Sequence, residues 1–339
     1  MSFPQYESYR DSGVEWIGEV PSHWSVEPIR SLASPGRTSF VDGDWIEAPY
    51  IQDEGVRLIQ TGNIGIGSYK EQGFRYVSEQ TFESLNCSEV HPGDILICRL
   101  AEPVGRACLA PDLGARMITS VDVCILKPRG DVCRPFVAYA LSSHRYLGFM
   151  EGQCRGGTRD RVSRTFLGNV RIAMPPEHEQ IAIADFLDQE TAKIDALVEE
   201  QRRLIDLLKE KRQAVITHAV TKGLDPTAPM KDSGVEWLGQ VPAHWEVRPI
   251  RKVASLESGH TPSRQRPDYW VEEECVIPWF TLADVWQLRD GTRIYVSDTQ
   301  QKISPLGMEN SAARLLPAGT VFLSRTASVG FSGIMATDM

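Results

Sequence analysis

Long hydrophobic runs are missing from this sequence. The longest apolar stretches, such as Asp94-Ile-Leu-Ile-Cys98, have strand length, well short of the ~20 residues that a membrane span needs. The first ten residues are too polar for a secretory signal. No membrane partner is therefore expected, and the cytoplasm is the expected location. A cysteine framework is missing as well: the seven cysteines (87, 98, 108, 124, 133, 154 and 275) form no C-x-x-C pair, and an odd number cannot close completely into disulfides within one chain. They read as reduced core residues rather than zinc ligands. Positive charge is in deficit, with 36 Lys and Arg against 45 Asp and Glu and a net charge of −9. Proteins that coat DNA without regard to sequence are usually basic over a whole face, so that class is disfavoured, although a local basic surface remains compatible. Catalytic signatures are also lacking. There is no Gly-x-x-x-x-Gly-Lys-Ser/Thr, no His-Glu-x-x-His, no Gly-x-Ser-x-Gly and no Asn-Pro-Pro-Tyr. No catalytic residue, metal ion or cofactor of the chain's own is expected.

What the chain does contain is a repeat. Asp11-Ser-Gly-Val-Glu-Trp16 recurs 221 residues later as Asp232-Ser-Gly-Val-Glu-Trp237, and the match runs on to Ser34 and Ser255 with 17 of 24 positions identical. Weaker echoes follow: Tyr76-Val-Ser78 matches Tyr295-Val-Ser297, and Gly93-Asp-Ile-Leu-Ile-Cys-Arg99 matches Gly319-Thr-Val-Phe-Leu-Ser-Arg325. Each half thus holds a copy of one domain. The first copy continues for some sixty residues past Leu113, whereas the second reaches Met339 at roughly that point, so the second copy is expected to be incomplete.

Within the repeated unit, β-rich runs at 56–60, 94–99 and 120–126 alternate with Gly- and Pro-containing loops, and 135–147 reads as a helix. The glycine-rich run 61–67 reads as a turn between strands, since its spacing does not fit a nucleotide loop and no helix follows it. A different pattern begins at Pro175-Pro-Glu177, after which no Gly or Pro interrupts the chain until Gly223. One helix of roughly 60 Å is expected there at ~1.5 Å per residue. Leu187, Ile194, Leu197, Leu204, Leu208 and Val215 fall on a and d positions of one heptad frame, a seam that calls for a partner helix. The rival reading is a helix lying on its own domain. The expected fold class is α+β: a mixed α/β domain over 1–175, a long coiled-coil-forming helix over 176–224, and the start of a second such domain over 225–339.

The combination resembles the specificity subunits of type I restriction-modification enzymes. The residues that carry the resemblance are Gly13-Val-Glu-Trp-Ile-Gly-Glu-Val-Pro-Ser-His-Trp24, Pro175-Pro-Glu-His-Glu-Gln-Ile-Ala-Ile-Ala-Asp-Phe-Leu187, Ile194-Asp-Ala-Leu197 and Leu207-Leu-Lys-Glu-Lys-Arg-Gln-Ala-Val-Ile216. The resemblance implies a non-catalytic subunit with two target-recognition domains, each reading half of a split target in double-stranded DNA. It also implies two long antiparallel helices that space the half-sites and dock methyltransferase subunits, with a restriction subunit joining the assembly. S-adenosylmethionine and ATP would then sit on those partners. Because the second domain and second helix are not completed by Met339, a self-paired form in which the Leu187–Val215 seam meets its twin is an alternative. So are a coiled-coil scaffold that binds no DNA, and a recognition module detached from a combined nuclease-methyltransferase.

Reading base edges requires side chains such as Arg for guanine, whereas phosphate contacts need only positive charge or free N–H groups. The richest segment is 151–171, where five arginines stand against two acids for a net +3. Arg155, Gly156, Gly157, Thr158, Arg159, Arg161 and Arg164 are the candidates, with the alternative that these arginines pair with the protein's own carboxylates. Arg99 and Arg106, with Arg325 as an echo, form a second candidate set, for which a shared structural task is as good a reading. Trp16, Trp24, Trp237 and Trp245 are expected to pack, and His23 and His244 to hold structural hydrogen bonds.

Overall fold

A computed structural model describes residues 5–154, 160–289, 291–325 and 329–339. The chain divides into two compact units, Met1–Arg212 and Gln213–Met339.

The strands of the first unit are β1 (Tyr9–Asp11), β2 (Glu19–Pro21), β3 (Ser25–Pro28), β4 (Phe40–Asp42), β5 (Val56–Ile59), β6 (Tyr76–Val77), β7 (Ile95–Cys98), β8 (Ala107–Leu109), β9 (Met117–Thr119), β10 (Val123–Leu126) and β11 (Arg171–Met174). Its helices are α1 (Glu79–Ser84), α2 (Arg134–Ala140), α3 (His144–Gly152), α4 (Arg164–Asn169) and the 46-residue α5 (Glu177–Lys222), which continues into the second unit. A four-stranded antiparallel sheet runs β4-β10-β7-β8, and a three-stranded sheet runs β6-β5-β9 with β5 and β9 parallel. The expected α+β class is what these elements form.

Strand periodicity explains the layering. Successive side chains of a strand point to opposite faces, and β7 and β10 are buried on both. Ile95, Ile97, Cys124 and Leu126 join one cluster with Phe136, Val137, Tyr146 and Leu167 of the helices. Leu96, Cys98, Val123 and Ile125 join another with Ile59 of β5 and Met117 of β9. Cys87, Cys98, Cys108 and Cys124 are buried and all seven cysteines are free. Burial pushes the Cys87 thiol up to about 11 and that of Cys108 to about 12. The helix expected over 135–147 is two helices, because the Ser143 side chain accepts the Tyr146 N–H and caps a new helix start.

The first turns of α5 belong to the first unit's core. Ala184 is buried, Ile183 packs on the cluster, and Gln180 donates to the Pro175 carbonyl while accepting the Cys133 N–H. Glu179 gathers Tyr6 Oη at 3.0 Å, His23 Nε2 at 2.6 Å and Trp24 Nε1 at 3.1 Å. Burial would raise its pKa, but these three partners outweigh that and hold the carboxyl below its usual range. Further along, the seam leaves the core: Leu187 is half-buried, whereas Ile194, Leu197, Leu204, Leu208 and Val215 are 46–59% exposed. The reading in which this helix lies along its own domain is thereby excluded for 194–215.

The second unit contains β12 (Met230–Asp232), β13 (Gln240–Pro242), β14 (Ile277–Trp279), β15 (Tyr295–Val296), β16 (Gln301–Ile303), β17 (Val321–Leu323), β18 (Ser332–Met335) and α6 (Pro305–Glu309). Its start copies the first unit. β12 and β13 pair as Asp232↔Gln240 where β1 and β2 pair as Asp11↔Glu19. Asp232 and Asp11 each accept the N–H of the glycine two residues on, at 2.9 Å. The β17–β18 hairpin repeats the β7–β8 register, Val321↔Ile334 for Ile95↔Leu109.

Closure is what differs. Ile29 and Leu32 are fully buried under α4 and β11, whereas the matching Ile250 and Val253 are 56% and 67% exposed. Packing was expected for both copies of the tryptophan, yet only Trp16 packs, stacked on Phe149 at 5.7 Å; Trp237 is 84% exposed. The physical reason is that the elements contributed in the first unit by 120–174 have no counterpart among the second unit's described residues.

Candidate nucleic-acid interface

At one end of the four-stranded sheet the chain makes a set of crossings that two buried arginines tie together. Arg99 follows β7 and is 4% exposed; its Nη1 donates to the Val162 carbonyl at 3.1 Å and its Nη2 to that of Val121 at 2.6 Å. Its Nε lies 3.1 Å from Asp42 Oδ1, close enough for an ion pair but outside hydrogen-bond alignment. Arg106 precedes β8 and is 8% exposed. Its Nε donates to Ile64 O at 2.7 Å, its Nη1 to Leu100 O and Pro103 O at 2.9 Å each, and its Nη2 to Thr61 O at 2.9 Å. Gly105, between them, has φ +85° and lies against Met150 and the Tyr146 hydroxyl, so only glycine fits there without strain.

These placements correct the expectation that Arg99 and Arg106 reach DNA. Both guanidiniums are sunk beneath the surface, with both Nη groups of Arg99 and the Nε and both Nη groups of Arg106 donating to the protein's own carbonyls, because an unpaired buried polar group is costly. Of the arginine-rich candidates, Arg155, Gly156, Gly157, Thr158 and Arg159 lie outside the described residues. Arg161 and Arg164, with side chains 45% and 44% exposed, stand at the surface beside the same crossings. Arg161 Nε is 3.1 Å from Asp122 Oδ1, and Arg164 Nε is 3.8 Å from Asp42 Oδ2. Both carry the internal pairing offered as the alternative, although half-exposed ion pairs of this kind are weak and exchangeable. Asp42 and Asp122 were not singled out from the sequence; nothing in their local pattern marks them.

The neighbouring loop 61–73 has the same anchorage. Thr61–Asn63 makes a short 3-10 turn, consistent with the turn reading, and Asn63 Nδ2 donates to Lys70 O and Gln72 O. Ile66, Ser68, Lys70 and Gln72 are exposed along it. Segment 160–164 is stitched to the other loop by the Leu100↔Arg161 bridge and by Ala101 N–H to Asp160 O at 3.1 Å. Exposed polar side chains and two half-exposed arginines therefore share one braced end of the domain. Chemically this suits phosphate contact and groove readout rather than bond making.

In the second unit, Arg325 is exposed and lines an open cleft of about 1320 Å³. That cleft borders the edge of β17 that has no partner strand among the described residues, the edge at which the first unit's β7 is paired with β10. Among the described residues no group of three His, Cys, Asp or Glu side chains is placed to hold a metal ion, and no helix is long and apolar enough to cross a membrane.

Comparison with known proteins bears out the resemblance read from the motifs. Residues 46–206 match the family described as type I restriction modification DNA specificity domain. The chain is 30% identical over 97 residues to the type I restriction enzyme MjaIX specificity subunit of Methanocaldococcus jannaschii, covering 29% of this chain and 21% of that one. It is 22% identical over 243 residues to the putative type I restriction enzyme MjaX specificity subunit of the same organism, covering 68% of this chain and 52% of the relative. Among solved structures, the HsdS subunit from Thermoanaerobacter tengcongensis aligns with a TM-score of 0.43 at 21% identity over 64% of this chain and 48% of that one. The chain spans about half the length of these relatives, or less.

Proposed function

We propose that this chain, bearing a type I restriction modification DNA specificity domain over 46–206, is the DNA-reading specificity subunit of a type I restriction-modification system. The observation that carries the reading is the overlap of that match with a closed α/β unit whose braced loop end holds Arg161 and Arg164 at the surface. The first unit reads one half-site of a split target, and α5 serves as spacer and dock. Its exposed seam from Ile194 to Val215 supplies the apolar face for a partner helix, from methyltransferase subunits or from a second copy. The chain performs no chemistry itself. S-adenosylmethionine and ATP bind to methyltransferase and restriction subunits, and the assembly works in the cytoplasm.

The test is to express the chain with its methyltransferase partner and map adenine methylation across the host genome by long-read sequencing. A split methylated motif is the expected result, and a palindromic motif points to the self-paired form. Absence of any motif, together with DNA affinity that does not change with salt, overturns the reading in favour of a scaffold, because phosphate contacts make binding fall with rising salt.

A further inference from the structure

Arg106 has an environment that strand packing does not explain. The repeat gives a direct comparison: Gly105-Arg106 corresponds to Gly330-Phe331, so the same hairpin position in the second copy carries an apolar ring. A buried cation costs solvation that an apolar side chain of similar volume does not, unless its surroundings repay the difference. Here the four acceptors are neutral carbonyls, two on the loop that follows β5 (Thr61, Ile64) and two on the loop that follows β7 (Leu100, Pro103). A guanidinium is a rigid planar fork of donors, which a lysine ammonium on a flexible stem cannot imitate. Its distinctive effect is to lock two separate loops into one geometry.

Each loop runs from a buried anchor, Ile64 in the first and Val104 at the end of the second, to exposed surface. The first continues into the exposed 66–75 stretch, and the second is stitched at Leu100 and Ala101 to the segment holding Arg161 and Arg164. Direct readout depends on side chains held close to their productive positions, because base edges are told apart by hydrogen-bond geometry. Loosening the brace would leave the charges at the surface but blur their spacing.

We propose that Arg106 is a positioning residue for sequence discrimination, holding the anchors of loops 61–73 and 100–103 so that their exposed residues form one reading surface, without itself touching DNA. The inference rests on the DNA-reading function proposed above and adds that specificity and general DNA affinity are separable at this residue.

The experiment uses the full chain. Selection from a randomised duplex pool defines the preferred sequence, and anisotropy then measures affinity for that duplex and a scrambled one across a salt series. The proteins compared are wild type, Arg106→Met, Arg106→Lys and Ile118→Val, the last a change in a separate core cluster that includes no residue of either loop and serves as a stability control. Loss of even one well-held base contact corresponds to about a tenfold change or more. The expected result is that Arg106→Met lowers the preferred-to-scrambled affinity ratio at least about tenfold while the salt slope stays unchanged. Arg106→Lys should fall in the same direction, and it carries the test if the methionine variant does not fold. Ile118→Val should lower thermal stability and leave the ratio intact. A ratio unchanged in both arginine variants makes Arg106 a structural brace only and overturns the proposal. So does a salt slope reduced by about 0.9, the signature of a direct phosphate contact. A wild-type chain that selects no sequence refutes the underlying function and this inference with it, whereas selection by wild type with an intact ratio in the variants refutes the inference alone.

Discussion

Replacing Leu204 and Leu208 together by glutamine probes the long helix without touching the folded core. Both side chains lie on the seam and are 46% and 55% exposed. Fully burying a leucine stabilises by about 1.5–3 kcal/mol. With roughly half of each side chain still open to solvent, a partner helix gains about 0.8–1.5 kcal/mol per residue, or about 1.5–3 kcal/mol for the pair. In a symmetric pair of copies both helices lose it, so the dimer should weaken by about 3–6 kcal/mol, roughly 10²–10⁴-fold in dissociation constant. Glutamine is close to leucine in helix propensity, so circular dichroism should not change. Sedimentation velocity over a concentration series is the assay: wild type should shift toward dimer as concentration rises, and the double variant should stay monomeric. If wild type and variant sediment identically at every concentration, the seam does not pair with its twin and that route to assembly is wrong.

Other perturbations test other parts of the molecule. Arg161→Ala combined with Arg164→Ala should lower the salt slope of DNA binding by up to about 1.8, at ~0.9 per phosphate contact; an unchanged slope would leave these arginines as partners of Asp122 and Asp42 alone. Gly105→Ala should destabilise the first unit by roughly 2–4 kcal/mol, since a Cβ would lie 2.9 Å from Met150 Cγ and from the Tyr146 hydroxyl at φ +85°; thermal melting measures it, and a melting temperature within error of wild type would contradict the packing described. Glu179→Gln should cost stability at neutral pH. Because the folded carboxyl titrates below its unfolded value, its contribution is fully present above the unfolded pKa and is lost as pH falls through the lowered folded one. The gap in melting temperature between wild type and variant should therefore close in acid, and a gap independent of pH would show that the ionised carboxylate is not what His23, Trp24 and Tyr6 stabilise.

The sequence by itself determined the parts of this protein that depend on local periodicity and on repetition. Val56, Ile95 and Val123 start strands because β-rich runs bounded by turn residues leave few alternatives. The stretch from Glu177 to Lys222 is one helix because nothing in it breaks one, and Asp11 and Asp232 make the same turn because the same residues surround them. Every residue of that helix from Ala192 to His218 is exposed, so the fold itself does not single out the face that the Leu187–Val215 frame marks. What only tertiary structure decided was the fate of charge. Arg99, Arg106, Arg161 and Arg164 all sit near glycine or turn residues in the chain, and although the second pair lies in the richer segment, their local sequence alone does not tell which are exposed. Two are buried and two are half-exposed, because the carbonyls of Thr61, Ile64, Val121 and Val162 arrive from segments some 20 to 65 residues away. Likewise Ile29 and Ile250 share one motif and differ in burial, since a side chain is buried only when distant chain comes to cover it.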